Sequence, residues 1–561
     1  MWHKPTAMRH FLVSAIGVML VLSLLRSYLH LTPVRVSQSS APSIILKMTW
    51  AARLTGQIPV VGTTSNPIKK YLDIFNPSSL SGVGFERLAV SGFQNDGIAI
   101  PGGDGHGNPD GDGDGDVNCE RRRHTAMLGV QPSFDLQDDL TKVVLSLSAY
   151  PQIERAINDR NGSFEAFVGE SWAELAGSGV WLPDHQVYLV VSRLIYYPSG
   201  SLAVPTISFL RGRVFDAQWK HLENYSLKWD GELISFPCTF DIPITWPDGG
   251  VFIGPEDPRV VLEDGVQGAE PVIVFNMLSE QLGGRRAMWL HRPFSNFTTA
   301  LKIRGEDQKH EEKNWAPFFQ RYPRSTPLHQ PSHHLNFVYS LHPLRILRCQ
   351  LLRGHCDWVF EQEPARLAIH THPDVRGDMR GGTNFVPVHQ SDPDIHLWVG
   401  FPRTHLDGAC GSNNATYRPE LVVLANSGAQ FHIVYASDAM DFGTAVLDRA
   451  AREEPCDAGR ILIPNGIVRW DQGPHDLMHL ALSVADRTTQ VVRLRGVSQL
   501  VESLPYLEKW RRALGPDDEP WGQRWSNAGG EVVGCSVAAA GNSSMRHADA
   551  DVRDGQLTVV S

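Results

Sequence analysis

From about residue 180 to about residue 497 the chain is a succession of short apolar runs, rich in β-branched and aromatic residues, with few stretches that read as helix. "VYLVVSRLIYY" (Val187–Tyr197) and "PTISFLRGRVF" (Pro205–Phe215) come first, then "PVIVFNML" and "RAMWLHRPF" across a Gly283–Gly284 turn. "NFVYSLHPLRILRCQL", "DIHLWVGFP", "RILIPNGIVRW" and "LMHLALSVADRTTQVVRL" continue the series. "ELVVLANSGAQFHIVYAS" predicts a hairpin with Asn426-Ser427-Gly428 at its tip. Such side chains suit a pleated, half-buried surface. Many antiparallel strands in one long domain predict a mainly β barrel, sandwich or propeller, and no WD or kelch signature chooses among them. Helix is expected in part of Phe134–Asp159 and, amphipathically, over Ser498–Gly515. Fifteen Trp and 37 Pro suit a loop-rich β protein with aromatic-lined clefts better than a helical bundle. A net charge of −10 argues against a general binder of nucleic acid or of anionic membrane.

The N-terminus reads as a membrane signal. Lys4 and Arg9 precede "FLVSAIGVMLVLSLL" (Phe11–Leu25), which is free of charge, and Arg26 follows. Snorkelling by Arg26 extends this run toward the ~20 residues that a bilayer span needs. A cleaved secretory signal would want a small-x-small site after Leu25, and none is there. The expectation is a 1–10 cytoplasmic tail, an 11–34 transmembrane signal anchor and a 35–80 stem, with the remainder lumenal because the basic residues come first. Sequons at Asn161, Asn224, Asn296, Asn414 and Asn542 agree with a lumenal chain. Seven cysteines in an oxidising compartment predict disulfides and at least one free thiol, with Cys349 and Cys356 the nearest pair. The expected catalytic domain is 81–515, and the Gly, Ser and Ala content of 516–561 predicts a loose tail.

Residues 101–120 form a Gly/Asp tract, "PGGDGHGNPDGDGDGDVNCE". Asp110, Asp112, Asp114 and Gly115 imitate the start of an EF-hand, but Arg121 stands where that loop needs Glu. No apolar strand precedes the tract, as an Asp-x-Asp nucleotide-sugar motif would require. It is read as a disordered acidic insertion.

The segment "GPEDPR" (Gly254–Arg259) carries the densest chemistry. Pro258 restricts Asp257 and Pro255 stiffens the approach. Adjacent acids in an extended segment point opposite ways, so one can face a cleft while the other pairs with the framework. Arg259 can hold Asp257 ionised, which is what a general base needs. A plain Asp-Pro turn beside a salt bridge reads equally well from these residues.

Nine strings in order add a resemblance. "SGVWLP" (178–183), "VSRLIY" (191–196), "GPEDPRV", "PVIVFNM", "KNWAPF" (313–318), "NFVYSLHPLRILRC" (336–349), "RGGT" (380–383), "FPRTH" (401–405) and "ILIPNGIVRWD" (461–471) resemble the fungal β-1,2-mannosyltransferases of glycosyltransferase family 91. "EDPR" and "KNW" resemble, more distantly, motifs of the β-mannoside phosphorylases. The resemblance implies a five-bladed β-propeller-like catalytic domain with a few peripheral helices, held in the Golgi membrane. It implies transfer of mannose from GDP-mannose to mannan or an oligomannoside, with inversion to a β-1,2 linkage. Asp257 would be the base and Glu256 a brace or sugar ligand. Arg259, Arg345, Arg403 and His405 would face the diphosphate, since a guanidinium donates two bonds at once. Asn314 would bind sugar hydroxyls, and Trp315 would be either a pyranose platform or a core plug. Arg193 and Arg211, within strands, read equally as structural pairs or ligands. A divalent cation, Mn or Mg, stays open: "YASDAMD" (435–441) is a spare candidate, and His370 with His372 lacks a third ligand. Two rivals use the same residues, a β-mannoside phosphorylase or hydrolase and a non-catalytic mannan-binding propeller.

Overall fold

The computed structural model describes residues 84–97, 118–202, 204–246, 249–320, 330–363, 376–389, 395–408, 415–446, 461–505 and 520–557. Strands dominate, and the sheets are meanders in a propeller-like arrangement. The first sheet holds Trp172–Leu182, Val187–Tyr196, Ile207–Phe215 and Cys238–Thr239 in that order. The second holds Pro255–Val261, Val272–Ser279, Arg285–Arg292 and Phe297–Ala300. The third runs Ala316–Phe318, His334–Leu341, Leu344–Gln350 and His355–Glu361, with Lys302–Ile303 added parallel at its edge. A three-stranded sheet joins Arg376–Arg380, Arg403–Asp407 and Thr416–Pro419.

A nine-stranded sheet completes the set. Its middle is the hairpin Glu86–Gln94 with Arg123–Asp135, which pairs on one side with Gln430–Ser437 and on the other with Thr488–Arg495. Early chain thereby fills the seam between two late meanders, and two edges that would otherwise be open are paired.

The cores explain why these runs are so apolar. Val187–Tyr196 is buried at all ten positions, because it is sandwiched on both faces rather than on one. One cluster joins the first sheet to the second through Leu189, Val191, Ile273 and Phe275. Another joins the second to the third through Val274, Leu290, Phe337 and Leu347. A third links Phe318, Val338 and Ile346 to Trp398, Val422 and Ile433 of the nine-stranded sheet. Tyr188 and Val190 meet Ala481 and Val491, so the last strands pack back on the first sheet. The innermost strands Trp172–Leu182, Pro255–Val261 and Leu462–Asp471 lie side by side.

The expected hairpin appears as Val422–Ser427 with Gln430–Ser437, and short helices Leu140–Ser146 and Pro151–Asn158 fall inside the segment read as helical. Of the expected amphipathic helix Ser498–Gly515, the N-terminal part appears in Val497–Ser503, and residues 506–515 lie outside the described residues. The anchor and stem expectations, Asn414, and residues 101–117 of the Gly/Asp tract lie outside the described residues. Among the described residues no helix is long and apolar enough to cross a membrane.

The tail corrects its reading. Pro520–Leu557 is one helix, not a loose segment, and it packs on the Gln430–Ser437 strand. Its small residues are the reason. Ala528, Gly529 and Gly530 let the helix come down on the sheet: a Cβ at Gly529 would lie 2.9 Å from the Ile433 nitrogen. Asn95 Nδ2 ties the two by donating to Ile433 O at 2.8 Å and Trp525 O at 2.9 Å. Buried Arg122 bridges Asp96, at 2.7 Å, and Glu531 of the helix. A disulfide from Cys119 to Cys535 fixes it covalently, and Cys349–Cys356 is bonded as expected.

The long-range bridge spans 416 residues and the short one 7. Loop-closure entropy then orders their effects. Cys119→Ser is expected to lower stability by about 2–5 kcal/mol, and Cys349→Ser by less. Urea denaturation of both variants under non-reducing conditions checks this, and a larger loss from the short-loop variant would contradict it.

Candidate active site

"GPEDPR" folds as a bulge. In the Pro255–Val261 strand Glu256 pairs with Asn276 and Arg259 with Val274, which leaves Asp257 and Pro258 opposite Phe275 alone. Asp257 takes φ 51°, a left-handed conformation that Asp tolerates better than most side chains. Pro258 has no N–H to lose in the unpaired position. The bulge breaks the alternation expected of neighbouring acids. Both now face one cation: Arg193 Nη2 lies 3.0 Å from Glu256 Oε2, and Nη1 lies 3.4 Å from Asp257 Oδ1.

Four guanidiniums surround the pair. Arg193 enters from the first sheet, its Nε donating to Ser208 Oγ at 3.0 Å. Arg286 donates to Glu256 and, at 2.7 Å, to Asn276 Oδ1. Arg259 is buried and donates to the carbonyls of Pro258 at 2.8 Å, Asp257 at 3.3 Å, and Gly382. Arg403, also buried, donates through Nη2 to Asn314 Oδ1 at 3.0 Å, while its Nε and Nη1 have no hydrogen-bond partner. The inner group is therefore four cations against two carboxylates. Glu311, itself paired with Lys313, touches Arg286 from outside at 3.5 Å, and Tyr417 and Asp486 act on Arg403.

The "RGGT" turn closes this group. Gly381 and Gly382 have φ 58° and 93°, and a Cβ on Gly382 would lie 2.0 Å from Phe401 O. Only glycine lets this turn bring Gly382 O to Arg259 and lie against Asn314 and Arg403.

Electrostatics follow from the crowding. Burial alone would raise the Asp257 pKa, but Arg193, Arg259, Arg403 and Arg286 outweigh it and hold the carboxyl below its ordinary 3.8. Burial pushes Arg259 down to about 10 against the pull of Asp257, and it lowers Arg403 too. The Asp257 side chain is 37% exposed, while those of Glu256 and Arg193 beside it are 10% exposed, so Asp257 is the acid of the pair that reaches solvent. Neither of the two described cavities is lined by Asp257, and the larger lies beyond the opposite end of its strand.

The expected site residues divide. Asp257, Glu256, Arg259, Arg403 and Asn314 come together, with Glu256 as the brace. His405 lies at the margin, stacked on Tyr417 at 4.6 Å and 3.5 Å from Asp407. Trp315 is a core plug: it is 3% exposed, packs on Phe337 and Tyr339, and donates to Glu312 at 3.2 Å. Arg345 is engaged elsewhere, bonded to Glu361 at 2.6 Å and lying 3.9 Å over the Trp358 ring. Arg211 is structural, paired with Asp138 at 2.6 Å. Arg286 and Tyr417 were not expected. Arg286 sits in a strand of "RRAMWLHRPF", where an arginine beside apolar residues was the available signal.

Among the described residues no group of His, Cys, Asp or Glu could hold a metal. Asp438 of "YASDAMD" pairs with Arg123 at 2.6 Å and Asp441 accepts from Gly443 N, so the spare metal candidate is occupied structurally. His370 and His372 lie outside the described residues.

The sequence signature described as Beta-mannosyltransferases matches residues 118–289 and 285–518. Beta-mannosyltransferase 2 of Komagataella phaffii is 32% identical over 405 residues, 69% of this chain and 61% of that one. Beta-mannosyltransferase 4 of the same organism is 34% identical over 348 residues, 59% of this chain and 65% of that one. This chain thus spans about three fifths of the length of these relatives. A solved structure from the family of mannoside phosphorylases that contains hydrolases targeting beta-1,2 mannosidic linkages in Candida mannan aligns at TM-score 0.36 and 12% identity. It covers 58% of this chain and 84% of that one, a likeness too slight to carry an argument.

A carboxyl with a depressed pKa favours the fold above its unfolded value, and that contribution is lost as pH falls through the lower folded value. Wild type is expected to lose stability more steeply than Asp257→Asn below about pH 4. Asn tolerates the left-handed backbone, so its fold should survive. Urea midpoints measured against pH check the slopes, and parallel acid limbs would contradict the charge assignment.

Proposed function

We propose, for a chain that belongs to the Beta-mannosyltransferase family, that the Asp257 site transfers mannose from GDP-α-mannose to a mannoside hydroxyl. The product is a β-1,2 linkage formed with inversion. One observation carries this reading: a bulge-held carboxylate lies among four guanidiniums, one of which keeps two buried N–H directions unpartnered.

The acceptor oxygen attacks the anomeric carbon on the face opposite the diphosphate. As that C–O bond forms, the acceptor proton passes to Asp257, directly or through a neighbouring sugar hydroxyl. The anomeric C–O bond breaks and GDP leaves with its electron pair through an oxocarbenium-like state. The two surplus positive charges of the inner group, Arg403 among them, would meet the charge developing on the diphosphate. Glu256 stays paired with Arg193 and Arg286 and keeps the site in place. The lowered pKa also bears on the rival phosphorylase reading, in which the same Asp acts as an acid. An acid must carry a proton at working pH, and this carboxyl is held ionised. Arrival of an anionic donor would cancel part of the cationic field and raise the proton affinity of Asp257 when a base is needed.

The catalytic domain is read as a five-bladed propeller. What supports this count is that the continuous nine-stranded sheet has four strands on one side of the Glu86–Gln94 and Arg123–Asp135 pairing and three on the other, so that its two halves would stand as blades beside the first three sheets. The setting is a type II Golgi membrane enzyme of mannan synthesis, anchored through residues 11–34. The disulfides and the exposure of the described sequons, Asn161, Asn224, Asn296 and Asn542, support a lumenal compartment.

Asp257→Asn is expected to remain folded but to unfold at a lower temperature than wild type at neutral pH, because it lacks the stabilising charge, and to lower kcat at least ~10²-fold. Incubation with GDP-mannose or mannose 1-phosphate, each with a short α-mannoside, followed by linkage analysis of the product, tests the reading. Turnover with mannose 1-phosphate alone would select the phosphorylase. Glycan binding with no transfer, indifferent to Asp257→Asn, would select the binding protein.

A further inference from the structure

The larger described cavity, about 1350 Å³, opens at the other ends of the inner strands. Its walls come from Val180 and Trp181, Val261, Phe319, Phe385 and Ile467 with Trp470; Val261 ends its strand, Phe319 follows the end of its own, and Trp181 and Trp470 are next to last in theirs. Asp257 lies four residues before Val261, on the far side of the bulge in that strand, and does not line the cavity. The volume exceeds the ~300–1,000 Å³ usual for small-molecule pockets, so it offers room for an oligomer.

Trp181, Trp229, Phe319 and Trp470 are each half-buried in this wall, fixed by the core on one side. Trp181 is held against Tyr188, with Arg469 4.3 Å over its ring. Trp470 Nε1 donates to Asp476 at 2.9 Å, and Trp229 stacks on Phe294 at 5.3 Å. Rings already held this way need little further ordering when a ligand arrives.

The charges restrict that ligand. Arg469 is paired with Asp471 at 2.9 Å and His389 with Asp264 at 3.0 Å, so both basic groups of the lining are matched. Asp184 is exposed, and Glu263 is buried with its Oε2 accepting from Ser332 N at 2.7 Å and its pKa raised by burial, so the lining carries no unmatched cation. A phosphate or nucleotide finds no unmatched cation here, and among the described residues no metal-holding group exists. A neutral chain with apolar faces and many hydroxyls fits both the aromatic walls and the exposed Asp184 carboxylate.

We propose that this cavity is a second saccharide site, binding a stretch of neutral oligosaccharide away from Asp257. That the sugar is mannose rests on the function proposed above; the glycan class rests on the cavity alone. The test titrates the full chain with α-1,2-mannotetraose and with cellotetraose, without nucleotide sugar, and reads calorimetric heat and tryptophan fluorescence. Asp257→Asn should bind within about twofold of wild type, and Trp229→Ala about tenfold or more weakly, a change of about 1.4 kcal/mol. Asp184→Ala, in an exposed turn where folding is not at stake, should also weaken binding. Binding of cellotetraose but not mannotetraose would support this site while removing the support for mannose. No binding of either, binding unaltered by both cavity variants, or binding lost in Asp257→Asn would overturn it, and transfer activity measured in parallel shows whether the first reading survives.

Discussion

The arrangement at Asp257 depends on a rule of buried charge: guanidiniums cannot be gathered away from water without anions among them. Arg193, Arg259, Arg286 and Arg403 converge from four segments, and Glu256 with Asp257 is what makes their convergence tolerable. A regular strand would have turned one acid away. The bulge at Asp257–Pro258 supplies both to the same cluster, so a local backbone irregularity determines the electrostatics of the whole site. Because the cations still outnumber these acids, the group remains a receptor for further negative charge.

That receptor holds its shape because each contributor is fixed by its own sheet. Arg193 lies in a strand buried at every position, Arg259 in the bulged strand, and Arg403 in the short three-stranded sheet beside the glycine turn. Their relative positions are set by the clusters between sheets, not by contacts within one sheet. Pairing of the early hairpin with two late meanders, and the disulfide from Cys119 to the last helix, keep those sheets from separating. Stability of the frame and accuracy of the site are therefore coupled over the length of the chain.

Much of this was legible in the sequence, for physical reasons. Alternating and continuous apolar runs report the strand and its burial directly, so the mainly β class and the Val422–Ser437 hairpin could be read. Proline on both sides of Glu256 and Asp257 marked a constrained pair of acids, and Glu256 takes the bracing role. The partners could not be read, because Arg193 and Arg286 lie 64 and 29 residues from Asp257 and only the fold joins them to it. Trp315 shows a different limit: an aromatic beside Pro317 gives the same string whether it plugs a core or faces a sugar. The C-terminal helix was misread because Gly, Ala and Ser have modest helix preference alone, while their small size is what close packing on a sheet requires.

The two ends of the inner strands carry different chemistry. Around Asp257 the surplus is cationic and includes unpartnered donors; beyond Val261 the lining is aromatic and carries no unmatched cation. A ligand bearing a diphosphate lowers its energy at the first and finds no matching charge at the second, while a neutral glycan is indifferent to the sign of either and gains from aromatic walls. Discrimination between two sugar-bearing ligands therefore needs no difference in how the sugar itself is recognised. With the two sites proposed above it would follow from charge at one and aromatic walls at the other, which ties the choice of ligand to the same four arginines that hold the Asp257 pKa down.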